Sequence, residues 1–204
     1  MAKSKFNNAE ESINAVLKES IPLFADSGFS GVSMRDVANA VGVSIATIYH
    51  HFSDKQTLYL KCIEASFATK ASGLSEALSE QGSKQEQLER FIRQFTLLMS
   101  EDSHFRRLLQ RELLDGDETR LRILAKEVFQ QQFKGVVDLA KRLSPDCDHH
   151  MMAISMVSLI LFHLETTPIR PFLTGGKAEH NEPEYIAKHV TQLLLNGVIQ
   201  CGKN

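Results

Sequence analysis

The sequence predicts an all-α protein of about nine helices, with a three-helix N-terminal domain containing a helix-turn-helix and a larger helical C-terminal domain. Three observations carry this expectation. Apolar residues recur at three- and four-residue spacing along nearly the whole chain, and no convincing run of alternating β-branched residues breaks the pattern. Helix-capping residues follow one another closely at Ser33, Ser44 and Ser53, marking three short elements in succession. Glycines and a Ser-Pro step close several of the periodic stretches.

The elements follow in order. Ile13, Val16, Leu17, Ile21 and Phe24 share one face of a first helix over Ala9 to Ser27, which Gly28 can end in a left-handed conformation. Pro22 removes a backbone hydrogen bond inside it and crowds the preceding turn, which predicts a kink near Lys18 to Ile21. Ser33 and Asp36 form a capping-box pattern that opens a second helix through Val41, and Gly42 breaks it. Ser44 caps a third helix through Tyr49, while Ser53 with Gln56 reads as another capping box opening a fourth toward Ala71. Leu88 to Met99 gives a fifth helix, His104 to Leu114 a sixth, and Leu121 to Leu143 a long seventh ended by Ser144 and Pro145. An eighth, over about 149–166, is apolar on most of its circumference and is expected to be buried on more than one side. The last runs from about Pro183 to Ile199.

Composition narrows the function. With 204 residues, 43% of them hydrophobic, the chain can bury a proper core. Cys62, Cys147 and Cys201 are odd in number and far apart, which argues against a disulfide framework or a Cys-x-x-Cys zinc unit and favours a reducing cytoplasm. No apolar region follows the two early lysines as a secretory signal requires, and no apolar run approaches the ~18 residues of a membrane span. A cytoplasmic protein without membrane attachment is expected. Nucleophile-elbow, P-loop, Rossmann and His-Glu-x-x-His patterns are all missing, so neither an enzyme nor a cofactor is implied.

Residues 34 to 49 carry the functional pattern. Two short helices meet through Ala-Val-Gly-Val-Ser, with Val37, Ala38, Val41, Val43 and Ile48 placed to hold them together. Ser44, Thr47, Tyr49 and His50 are left facing outward, with the hydrogen-bonding reach that base edges and phosphates require. Bulk charge does not help. The net charge is −2, and up to residue 55 five lysines and arginines meet six acidic residues, so DNA contact must rest on a few placed groups.

The stretch from Gly28 to Glu64, GFSGVSMRDVANAVGVSIATIYHHFSDKQTLYLKCIE, closely resembles the N-terminal DNA-binding region of the tetracycline-repressor (TetR) family of bacterial transcriptional regulators. The residues that carry the resemblance are Phe29, the hydroxyl cap Ser33, the Tyr-x-His-Phe run of Tyr49, His51 and Phe52, and Lys55. It implies that Tyr49 and His51 contact phosphates, that Lys55 lies beside one, and that Arg35, Ser44, Thr47 and His50 contact bases or phosphates, with Ser33 adding a contact to its capping role. The family often has a second aromatic where His50 stands. A protonated His50 would strengthen phosphate contact, so affinity for DNA is expected to weaken above about pH 7. The resemblance further implies a homodimer paired through the last two helices, about 149–166 and 183–200, acting on a double-stranded operator and responding to a small-molecule inducer. Residues 1–55 would then form the DNA-binding domain and residues 56–204 the ligand-binding and dimerisation domain.

Two C-terminal features need separate readings. Asp146, Cys147, Asp148, His149 and His150 collect metal-ligand types, but adjacent residues cannot all turn toward one ion, and acids at a helix N-terminus serve the helix dipole; no metal site is expected. His104, Phe133, Phe162, His163 and Glu165 are candidate inducer contacts, with Glu165 expected to be paired by His163 or Arg170 near the helix end. The expected function is a ligand-responsive DNA-binding regulator, a repressor released from a palindromic operator by a small apolar or amphipathic molecule. The alternative is a DNA-bound structural or partner-binding factor without an inducer.

Overall fold

The computed structural model describes residues 8–198. They form α1 (Ala9–Ser27), α2 (Met34–Val41), α3 (Ile45–His51), α4 (Lys55–Ala77), α5 (Lys84–Glu101), α6 (Ser103–Asp115), α7 (Glu118–Ile123), α8 (Gln130–Leu143), α9 (His149–Glu165) and α10 (Pro183–Val198). A π-helical segment, Leu124–Phe129, joins α7 to α8, so 118–143 is one continuous helical run. No strand occurs among the described residues, as the all-α prediction requires. The predicted last residues of α10, 199–200, and Cys201 lie outside the described residues.

Two compact units divide the chain: residues up to Thr69 together with Ser103–Val128, and Lys70–Asp102 together with the residues from Phe129 onward. In the first unit α1 packs on α2 and α6, and α2 on α3. Val16, Phe24, Val37, Val41, Ile48, Phe52, Leu58 and Tyr59 are buried in its core, Phe24 meeting Tyr59 edge to face at 5.0 Å. Gly28 ends α1 with φ 71° and ψ 176°, a backbone region open essentially to glycine, and its N–H donates to the Phe24 carbonyl. Pro22 lies within a helix that runs on past it.

Two cations of the α6–α7 region bind this unit together. Arg111 donates from Nε to Ala25 O at 2.9 Å and from Nη2 to Asp26 O at 2.6 Å, satisfying terminal carbonyls of α1 that would otherwise lack partners. Arg120 is buried with Glu112, its Nε 3.0 Å from both carboxylate oxygens, and its guanidinium lies 4.4 Å from the centre of the Phe29 ring. A charge buried this far is tolerated because it is paired and hydrogen-bonded.

The second unit is built on α5, which packs against α8, α9 and α10, while α9 also meets α8 and α10. Within one chain α9 is buried on one face only, short of the several sides expected of it. Ala153, Met156, Ile160 and Leu164 form its one buried face, and Met151, Ile154 and Phe162 are exposed. On α10, Ile186, Ala187 and Val190 are buried while Tyr185 and Leu193 are exposed. A single chain supplies neighbours to one side of these helices, and their composition exceeds what that side can bury. Cys147 is disulfide-bonded, which the number and spacing of the cysteines did not suggest. Cys62 is free and buried, and burial pushes its thiol pKa up. No helix among the described residues is long and apolar enough to cross a membrane.

Candidate nucleic-acid interface and C-terminal cavities

The α2–α3 region begins with a cap. Ser33 Oγ accepts from the Asp36 amide at 3.2 Å, and Asp36 Oδ2 accepts from the Ser33 amide at 2.8 Å and hydroxyl at 2.6 Å, the reciprocal box that fixes where α2 starts. The Ser33 hydroxyl and then its amide hold the Asp36 carboxyl below the usual carboxylate range. Arg35 is exposed in the first turn beside it. Gly42 closes α2 in the left-handed conformation, φ 74° and ψ 41°, and turns the chain into α3.

Ser44 caps α3, its Oγ accepting from the Thr47 amide at 3.2 Å and lying 2.9 Å from the Thr47 hydroxyl. Ile48 is fully buried and fixes the rotation of this short helix. That rotation turns Tyr49, half exposed at 50%, and His50 outward, while Thr47 and His51 are partly covered. The His50 and His51 rings meet edge to face at 5.0 Å, and His51 is 6.5 Å from the ring of buried Phe52.

At the start of α4 the expected cap is displaced by one residue. Asp54, rather than Ser53, accepts from the Thr57 amide at 2.7 Å, and Ser53 donates its hydroxyl to Asp54 Oδ2 at 3.0 Å. A carboxylate at that point satisfies the amide and the helix dipole together, which a serine cannot. The Thr57 amide, then the Ser53 hydroxyl, hold the Asp54 carboxyl below its ordinary range. Lys55 Nζ donates to Phe29 O at 2.9 Å and lies 4.3 Å from the centre of the Phe29 ring. It therefore ties α4 to the α1–α2 connection, a role that spacing did not suggest. The ammonium has two further hydrogens for an anion.

The residues expected to contact an inducer fall in both units. His104 is half-buried on α6 in the first unit; Phe133 is half-buried on α8, 5.4 Å from the His150 ring; Phe162 is 71% exposed. His163 and Glu165 are half-buried near the end of α9. The expected pairing of Glu165 by Arg170 or His163 is replaced by another arrangement. Arg170 folds back after the Thr166–Thr167 turn and donates to the His163 and His180 carbonyls, to Asn181 Oδ1 at 2.9 Å and to Thr166 Oγ1 at 3.1 Å. His163 faces His189 at 5.5 Å between ring centres. Of the Asp146–His150 cluster, Asp148 caps α9 by accepting from the Met151 amide at 3.0 Å, and His149 lies 3.0 Å from Pro145 O.

Two cavities in the second unit were not visible to sequence reasoning. One, of about 250 Å³, is lined by His163, Arg170, His180, Tyr185, Ile186 and His189. The other, of about 430 Å³, lies between the start of α9 and the end of α10 and includes Met151, Met152, Leu193 and Leu194 in its lining. The lining of the first converges from residues 163 to 189 through two short 3-10 turns, a path with no periodic signal.

Comparison with known proteins places residues 16–62 in the profile of bacterial regulatory proteins, tetR family. The chain is 30% identical over 87 residues to the HTH-type transcriptional activator FasR of Mycolicibacterium smegmatis, covering 43% of this chain and 40% of that protein, so it spans about two fifths of that relative's length. Among solved structures, a tetR-family regulatory protein from Rhodococcus RHA1 aligns over 92% of this chain and 97% of its own with a TM-score of 0.74 at 16% identity. AibR in complex with isovaleryl coenzyme A and operator DNA aligns over 91% and 98%, with a TM-score of 0.67 at 21% identity. At these identities the structural likeness is one of fold.

Proposed function

We propose that the chain, whose residues 16–62 match the bacterial regulatory proteins of the tetR family, is a cytoplasmic, ligand-responsive transcriptional regulator acting as a homodimer on a palindromic DNA operator. The observation that carries this reading is the outward edge of α3, where Tyr49 and His50 project beside Ser44 and Thr47 from a helix fixed by a cap and by buried Ile48. Arg35 and Lys55 add positive charge at the starts of the helices before and after it. Tyr49, His51 and Lys55 would meet phosphates, and Ser33, Arg35, Ser44, Thr47 and His50 phosphates or base edges. This division of roles assigns DNA contact to residues 1–55 and ligand binding and dimerisation to residues 56–204.

The exposed apolar residues of α9 and α10, Met151, Ile154, Phe162 and Leu193, support pairing with a second copy, which would bury them. A two-fold dimer would present two α3 helices to successive major grooves about 34 Å apart. An effector releases the operator only if it binds the released arrangement more tightly than the bound one. AibR, whose structure holds both an acyl coenzyme A and operator DNA, supports an effector-linked role for this fold. We assign repression as the effect and no catalysis. The test is selection of bound sequences from random DNA with the full chain. A palindromic consensus near a neighbouring promoter supports the reading, and recovery of no enriched sequence contradicts it.

A further inference from the structure

The smaller cavity has a one-sided chemistry. Among the described residues its lining brings three imidazoles, one guanidinium and one phenol together with Ile186, and includes no carboxylate. Arg170 is held rigidly, and each acceptor it reaches is a neutral oxygen: two main-chain carbonyls, an amide and a hydroxyl. Its charge is therefore fixed in place but not neutralised. Of the neighbouring carboxylates, Glu184 pairs with Arg93 of α5 at 2.7 Å and Glu179 with Lys177 at 3.5 Å.

One imidazole, that of His180, is oriented to donate. The Lys177 amide donates to His180 Nδ1 at 3.3 Å, which puts the proton of the neutral ring on Nε2. The His163 ring stands edge to face with His189, and the His180 ring lies 5.1 Å from that of Tyr185. Burial first, then the positive charges of His189 and Arg170, lower the His163 pKa. Cationic groups that disfavour one another in a pocket without a counter-charge form a place where an anion would relieve the conflict.

We propose that the cavity formed by His163, Arg170, His180, Tyr185 and His189 binds the oxyanion of a small organic acid, with Ile186 and the Tyr185 ring against its short apolar part. A volume of about 250 Å³ admits one carboxylate or phosphate group and a few carbons. The inference deepens the effector-responsive reading above by giving the effector a chemical class, and it rests on that reading only for its effect on DNA.

The experiment follows histidine side-chain resonances of the full-length protein by NMR, without DNA, while butyrate or inorganic phosphate is added at constant ionic strength. Saturable shifts at His163 and His189 are expected, with a dissociation constant on the order of 1 mM for the better probe, since a few charge-assisted contacts are formed. Bound anion should also raise the apparent pKa of His163. Saturation by butyrate alone identifies an organic carboxylate, and saturation by phosphate identifies a phosphorylated acid. His189→Ala, on the exposed side of α10, should weaken binding about tenfold while the fold persists. Shifts that stay linear with both probes, or saturable binding equal in wild type and His189→Ala, would overturn the proposal. In a parallel titration of operator DNA, saturating anion that leaves operator affinity unchanged would uphold the site and contradict the regulatory reading instead.

Discussion

The α2–α3 pair and the α9–α10 pair are both short stretches of helix with apolar and polar sides, yet they are specified in opposite ways. In the first, every boundary is set by a neighbour in sequence: Ser33 with Asp36, Gly42, Ser44 with Thr47. The buried side chains Val37, Val41 and Ile48 are then enough to fix which side faces out. In the second, the boundaries are equally plain, but Met151, Ile154 and Phe162 on α9 and Leu193 on α10 have apolar surface that the chain itself does not cover. A local code fixes a helix and its ends. What a helix faces depends on the number of chains present.

The largest expected effect breaks the support beneath the first pair. Glu112→Ala removes the one fully buried partner of Arg120, leaving it the more exposed carboxylates of Asp115 and Asp117 at 3.5 Å, and should cost about 3 kcal/mol in urea unfolding, the lower end for a broken buried pair. Replacing both residues, Glu112→Leu with Arg120→Met, should recover most of that loss. A double variant as unstable as the single one would mean that the pair contributes packing rather than charge balance.

Next comes the second pair. Phe162→Glu places a charge on the exposed side of α9 and should weaken self-association by about 2 kcal/mol or more without lowering the unfolding midpoint of the monomeric form. Sedimentation across a concentration series measures it. Unchanged association would move the dimer contact away from this surface.

A smaller effect is expected at the cap of α2. Ser33→Ala removes the hydroxyl that accepts from Asp36 N and should cost about 1 kcal/mol in thermal or urea unfolding. The smallest concerns pH. The folded-state pKa of His163 is lowered, so the contribution of neutral His163 is present above the ordinary imidazole range near pH 6.5 and is lost as pH falls through its folded value. Stability measured from pH 7.5 to 5 should decline less in His163→Gln than in wild type.

Legibility in the sequence follows the same division. The caps Ser33 and Ser44, the break at Gly42, the buried apolar residues of α2 and α3, and the outward Tyr49 and His50 could all be read from the sequence, because each depends on residues within one or two turns. The cap of α4 was misplaced by one residue because serine and aspartate are adjacent and both can cap. Lys55 on Phe29 O, Arg111 on the α1 carbonyls and Arg120 on Glu112 were not legible, since long cations reach partners that no short pattern encodes. Arg170 shows the same limit. Proximity to Glu165 in sequence suggested an ion pair, whereas the turn after α9 sends it to main-chain carbonyls. His180 and His189 drew no notice because their convergence on His163 depends on the whole 166–183 connection.

The central claim is that the outward edge of α3 makes the DNA contact in a region without excess positive charge. Tyr49→Ala tests it most directly, by fluorescence anisotropy on the DNA recovered by selection together with the unfolding midpoint of the same variant. The expected result is an affinity loss of about tenfold or more, with the midpoint unchanged because the side chain is half exposed. Affinity equal to wild type would contradict the claim and remove Tyr49 from the interface.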